Sequence, residues 1–153
     1  MRFRVVLSCP NGPWYQEAIR EIQREKYFHD DIDLEIVPVQ NVDQQIRDLL
    51  DLKTKKIDLL IVSPIFGSNL TPIVEDLYAS GVPVVLYDRK INSEQYTAFV
   101  AADNFEIGRQ MGEYVKSMFP AGGNIFLLRG THFVSADEER YNGFISAIRP
   151  GGG

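Results

Sequence analysis

Asp88 and Arg89 are adjacent and follow directly on the apolar run Val82-Pro83-Val84-Val85-Leu86-Tyr87. Side by side, a carboxylate and a guanidinium offer an acceptor and a fork of donors, which suits a polyhydroxylated or zwitterionic small molecule. Two charges at the end of a buried strand carry a desolvation cost that calls for a reason. Gly81 marks the end of a helix, so the run after it reads as a strand. The pair then sits just beyond the carboxyl end of that strand, where open α/β sheets bind their ligands.

Other polar and aromatic residues fall at equivalent places. Asn11, Trp14 and Tyr15 follow the first strand, Ser63 the third, Asp103 and Asn104 the fifth, and Arg140 comes after the last. Planar aromatic faces hold sugar rings, while charged and amide groups chelate hydroxyls, and this set contains both kinds. Each residue alone also has a plainer use. Asn11 and Asp103 suit helix caps, and Trp14 and Tyr15 suit a core.

The elements that would position these residues alternate along the chain. Strands are expected over Arg2–Ser8, Leu34–Val39, Ile57–Val62, Val82–Tyr87, Tyr96–Ala101 and Ile125–Leu128, most of them nearly continuous in apolar residues, as doubly covered parallel strands are. Asn11 or Gly12 can cap the next helix, and Pro13 suits its first turn, with Trp14, Ala18 and Ile22 on one stripe flanked by Tyr15 and Ile19. Val42, Ile46, Leu49 and Leu50 mark a second helix, and Thr71-Pro72 opens a third that carries Ile73, Val74 and Leu77. Asp103 with Glu106, and Ser135 with Glu138, have capping-box spacing and open two more. Gly108 and Gly112, a turn apart, let another backbone pack closely. Sustained alternation with short connections predicts an α/β, doubly wound parallel sheet.

Composition narrows the function. The chain has 153 residues, a net charge of −5 and 44% hydrophobic residues, ordinary values for a globular protein, with no basic cluster for nucleic acid. One cysteine, Cys9, excludes an internal disulfide and any cysteine-based metal site. Val6-Leu7-Ser8-Cys9 has the look of a lipoprotein cleavage box, but too few residues precede it for an apolar leader. No apolar run is long enough to cross a membrane. The loop after the first strand, Ser8 to Pro13, lacks the glycine pattern of a dinucleotide site. His29 and His132 have no ligand-spaced acid or thiol, so neither a metal nor a cofactor is expected. An α/β enzyme acting on a sugar phosphate stands as the reading from another class, with Arg89 as its anion-binding group.

The chain resembles the type I periplasmic-binding-protein superfamily, especially ribose-binding proteins and the sugar-binding cores of LacI-type repressors. The resemblance rests on Ser8 to Tyr15, on Gly81-Val82-Pro83-Val84-Val85-Leu86-Tyr87-Asp88-Arg89, on Val100-Ala101-Ala102-Asp103-Asn104 with Gly108, and on Glu139-Arg140 with Gly143-Phe144. It implies a ligand set of Asn11, Trp14, Tyr15, Asp88, Arg89 and Arg140, with the two aromatics stacked on the sugar ring. Asp58 to Pro64, Leu70 to Glu75 and Asp88 to Ala98 are similar to the periplasmic sensor domains of Bacteroidetes hybrid two-component regulators. That narrower resemblance implies a carbohydrate sensor in the periplasm, within an inner-membrane protein, which signals to an attached histidine kinase and response regulator.

The alternatives are a sugar receptor of an ABC transporter and the core of a cytoplasmic repressor. Family members have two lobes that close on the ligand between them. Residues 1–102 are expected to form the first lobe, 103–150 a partial second lobe, and 151–153 a glycine tail or linker. Such a fragment is expected to bind sugar poorly, or to complete itself as a homodimer by pairing or swapping with a second copy.

Overall fold

The computed structural model describes residues 2–149, and the glycine tail expected at 151–153 lies outside them. The chain divides into two compact units, residues 1–100 and residues 101 onward.

The first unit is a five-stranded sheet in the order β2-β1-β3-β4-β5, parallel throughout. Its strands are β1 (Phe3–Pro10), β2 (Ile32–Val39), β3 (Leu59–Val62), β4 (Val84–Tyr87) and β5 (Ala98–Val100). Between them run α1 (Pro13–Lys26), α2 (Val42–Leu52) and α3 (Gly67–Ala79). Side-chain alternation along the strands feeds two cores. Val6, Leu60, Val62, Val84 and Leu86 join Leu49 of α2 and Leu70, Val74 and Leu77 of α3 on one face. Leu7 and Cys9 join Tyr15 on the other, with Ile19 and Ile22 of α1 and Tyr87 of β4 packed against them. Helices therefore cover both faces, which is the doubly wound α/β arrangement.

Local chemistry sets the helix ends. The Asn41 side chain caps α2 by accepting the Gln44 N–H at 2.9 Å. At the end of α3, Gly81 takes φ 92°, and the N–H groups of Gly81 and Val82 return to the carbonyls of Tyr78 and Leu77. This paired return satisfies carbonyls that the helix end would otherwise orphan. The chain then turns directly into β4.

Several expectations are corrected. The inward residue at the start of α1 is Tyr15, in line with Ile19 and Ile22, and not Trp14, which is 55% exposed; Gly12 is the cap residue. Leu50 of α2 points outward. Helix α3 begins at Gly67, four residues before Thr71. Pro72 therefore lies inside α3, past its first turn, directly after Thr71, whose Oγ1 donates to the Gly67 carbonyl at 2.8 Å.

The second unit holds α4 (Asn104–Met118) and α5 (Ser135–Ile148), packed on each other. Asp103 caps α4, accepting the Glu106 N–H at 2.9 Å. Val134, not Ser135, occupies the cap position of α5, with its carbonyl taking the N–H groups of Asp137 and Glu138. Ile125–Leu128 is not a strand. Among the described residues of this unit there is no strand for it to pair with, and an extended segment without a ladder partner has no backbone reason to persist. Its side chains stand open, with Phe126 at 95% and Leu128 at 88% exposure.

The contact between α4 and α5 depends on the absence of side chains. A Cβ at Gly108 would overlap the Arg140 backbone, and one at Gly143 would overlap the Phe105 carbonyl. Gly108→Ala is therefore expected to destabilise the α4–α5 pair by about 1–3 kcal/mol through overpacking, measured as a lower midpoint in urea unfolding followed by circular dichroism.

Candidate functional site

The carboxyl ends of β1, β3 and β4 bring four side chains together. Tyr15 reaches across the sheet end, and its hydroxyl donates to Asp88 Oδ2 at 2.8 Å. The same hydroxyl lies 2.9 Å from Ser63 Oγ. Because the single phenolic proton is engaged with the carboxylate, the Ser63 hydroxyl must donate to Tyr15. Asp88 Oδ2 is also 3.6 Å from Arg89 Nε, and Arg89 Nη1 donates to the Ile65 carbonyl at 3.0 Å. The Arg89 guanidinium sits 5.8 Å from the centre of the Tyr15 ring. Both charged side chains keep 23% of their surface exposed, so each is held in place and still reachable.

Asp88 owes its direction to its backbone. Its φ is 64°, and the Arg89 N–H bonds to the Tyr87 carbonyl at 2.7 Å. An i→i+2 bond around a positive-φ residue is the strained form of γ-turn. Asp is one of the few residues that visits this region. The Asp88 N–H is bonded to the Val100 carbonyl at 2.9 Å, which anchors the turn to β5.

Trp14 stacks on Tyr87, with centroids 5.6 Å apart and planes 17° apart, and meets Tyr15 edge-on at 4.9 Å. The indole is thus an exposed, rigidly backed apolar plate. Tyr15 is different: it is 6% exposed and belongs to the core under α1, and its hydroxyl is spent on Ser63 and Asp88. In this structure it orients Asp88 rather than offering a ring face. Asn11 stands exposed at the end of β1, its N–H bonded to the Val39 carbonyl and its Oδ1 3.5 Å from Gln16 Nε2. Arg140 belongs to the second unit, where its Nε donates to the buried Asn104 side chain at 2.9 Å.

Tyr87 is a residue that sequence reading did not single out. Period-two alternation puts it on the α1 face, next to the pair, and that signal was available. The Ile65 carbonyl carried none, since backbone partners leave no trace in residue type. Among the described residues no three His, Cys, Asp or Glu side chains gather to hold a metal. His29 does have an acid within reach, Glu25 at 3.3 Å one helical turn back, in an exposed pair.

Burial pushes the Tyr15 hydroxyl well above the ordinary phenol range, and the bond to Asp88 raises it further, against the lowering effects of Ser63 and Arg89. The folded state therefore holds this proton more tightly than the unfolded chain. That contribution to stability is complete below about pH 10, the ordinary phenol value, and is lost as the pH rises beyond it. In an absorbance titration at alkaline pH, Tyr15 is expected to ionise only with unfolding. Tyr15→Phe should remove this transition and cost about 1–2 kcal/mol at neutral pH, because Ser63 and Asp88 each lose a partner.

The periplasmic binding protein domain matches residues 3–153 of the chain. The ribose import binding protein of Bacillus subtilis (strain 168) is 30% identical over 139 residues, which are 90% of this chain and 45% of that protein. The ribose import binding protein of Escherichia coli (strain K12) is 23% identical over 147 residues, 94% of this chain and 49% of that protein. Among solved structures, the fructose-binding periplasmic domain of a hybrid two-component system is similar with a TM-score of 0.90 and 39% identity, over 96% of this chain and 50% of that one. A solute-binding protein of an ABC transporter from Mycobacterium smegmatis, with bound glycerol, has a TM-score of 0.85 at 24% identity, over 97% of this chain and 52% of that one, a likeness of fold alone. The chain spans about half the length of the curated relatives it matches. With its parallel sheet, its helices on both faces and this match across nearly every residue, the chain belongs to the periplasmic binding protein family.

Proposed function

We propose that the chain is a carbohydrate-binding domain of a periplasmic sensor, in which Asp88 and Arg89 take sugar hydroxyls and Trp14 carries the apolar face of the ring. The observation that carries this reading is the pair itself. A carboxylate and a guanidinium are braced from behind by Tyr15 and Ile65, stay partly exposed, and flank a backed indole plate. Such a group chelates vicinal hydroxyls with charge-assisted bonds while the plate covers ring C–H groups. Asn11 offers a further amide from the end of β1, and Arg140 is assigned by its place in the Glu-Arg-x-x-Gly-Phe segment.

The sensor reading, with an attached histidine kinase and regulator, rests on the 39% identity to a fructose-binding domain of a hybrid two-component system. A receptor feeding an ABC transporter is the second reading, supported by the ribose import relatives. Both have the domain bind sugar without catalysing a reaction, and both put it in the periplasm. Among the described residues no helix is long and apolar enough to cross a membrane, so anchoring would come from sequence outside them.

Calorimetric titration with D-ribose, D-xylose and D-fructose tests the shared claim, both on the chain alone and on the chain joined to the residues that flank it in its gene. Saturable heat is expected with at least one of them. Asp88→Ala should weaken that binding by roughly 100-fold or more, the loss of charge-assisted bonds. Asp88→Asn, which keeps a residue tolerant of positive φ, should fold normally and still bind poorly. Trp14→Ala should cost about threefold to tenfold. No heat with any of the sugars, or an affinity indifferent to Asp88→Ala, would rule the assignment out.

A further inference from the structure

Gln45 is an uncharged polar side chain of α2 with 0% exposure, placed among the apolar residues that cover one face of the sheet. Its carboxamide makes three hydrogen bonds. Oε1 accepts the Ile65 N–H at 2.9 Å, and Nε2 donates to the Ser63 carbonyl at 3.0 Å and to Ser8 Oγ at 3.2 Å. The orientation of the amide is dictated by its partners: a backbone N–H demands the oxygen and a backbone carbonyl demands the nitrogen. A buried amide with every proton engaged is a rigid clamp rather than a solvated tail.

What it clamps is the segment just past the end of β3, and that segment supplies a partner to each half of the charged pair. Ile65, gripped through its N–H by Gln45, gives its carbonyl to Arg89 Nη1. Ser63, gripped through its carbonyl, gives its hydroxyl to Tyr15, which donates onward to Asp88. We propose that Gln45 is a positioning residue for the Asp88–Arg89 pair, fixing from the far side of the sheet the carbonyl that holds Arg89 and the hydroxyl chain that holds Asp88. The inference rests on the sugar-binding reading of that pair, although the geometry it concerns exists without a sugar.

Residue chemistry limits what can replace it. Asn is one methylene too short to reach both backbone groups, and Leu fills the space while leaving Ile65 N–H and the Ser63 carbonyl unpaired. Glu keeps the shape but sets an oxygen against the Ser63 carbonyl unless it carries a proton, while the Ser8 hydroxyl can turn to donate to it. The last case supplies a signature that loss of packing alone would lack.

The test uses the chain with Gln45→Leu, Gln45→Glu and, as a control in the same core but without polar contacts, Val74→Ala. Sugar affinity is measured with D-ribose, D-xylose and D-fructose beside thermal stability. Gln45→Leu is expected to weaken binding by about tenfold or more, whereas Val74→Ala lowers the melting temperature and leaves affinity within about twofold. Relative to the unmodified chain at each pH, Gln45→Glu should regain affinity as its carboxyl protonates and the donor to Ser63 returns.

A sugar-independent readout is the Arg89 side-chain N–H resonance, identified by its loss in Arg89→Lys. It should be distinct and slow to exchange in the unmodified chain, and merge with exposed arginines in Gln45→Leu. In the unmodified chain the two Gln45 Nε2 protons should exchange with solvent much more slowly than those of exposed glutamines. A Gln45 amide that exchanges as fast as those of exposed glutamines overturns the proposal without any variant, as does a folded Gln45→Leu with unmoved affinity and an unmoved Arg89 resonance. If none of the sugars binds either the unmodified chain or the chain joined to the residues that flank it in its gene, the sugar-binding reading fails, and the two resonances still decide whether Gln45 positions the pair.

Discussion

The turn at Tyr87-Asp88-Arg89 is the constraint on which the site depends. Strand β4 must end abruptly for two charged side chains to leave the sheet on the same side as the ends of β1 and β3. The chain achieves this with a positive φ at Asp88 and a three-residue hydrogen-bonded loop. Such a conformation costs on the order of 1–3 kcal/mol and survives only where surrounding bonds over-determine it. Those bonds are present: the Asp88 N–H is tied to β5, its carboxylate to Tyr15, and the next side chain to Ile65.

Around that turn the polar groups are arranged in two tiers. The outer tier, Asp88, Arg89 and the Trp14 plate on Tyr87, is partly exposed and has the chemistry to meet a ligand. The inner tier, Tyr15, Ser63, Ser8 and Gln45, is buried and fully engaged, and no buried side-chain polar atom among the described residues lacks a partner. In a low-dielectric interior a satisfied network of this sort is stiff, and a half-satisfied one would be costly. Because the inner tier spans both faces of the sheet, with Gln45 on one and Tyr15 on the other, the two cores are coupled through the strand ends as well as through the strands.

The second unit follows a different logic. Its two helices meet where glycines allow backbone contact, at Gly108 and Gly143, so the interface is set by the lack of side chains. The apolar segment Ile125–Leu128 has the composition of a strand and none of its pairing, because a strand is defined by neighbours that the described residues of this unit do not provide. Arg140 is held by Asn104 within the unit, which accounts for its orientation there.

The sequence by itself determined the α/β alternation, the parallel sheet, the helix ends at Gly81 and Asp103, and the placement of Asp88 and Arg89 beyond a strand. All of these follow from periodicity, turn chemistry and capping, which act over a few neighbouring residues. Tertiary structure decided the rest. Trp14 and Tyr15 are adjacent in sequence and alike in type, yet one is an exposed plate and the other a buried hydroxyl donor, because a helix rotates successive residues by about 100° and only the packed sheet says which one faces inward. Likewise, nothing in local pattern distinguishes Gln45 from its neighbour Gln44. Its role arises from segments that converge only in the fold, where a hydrogen-bond donor and acceptor must be met at fixed positions or left unpaired in the core.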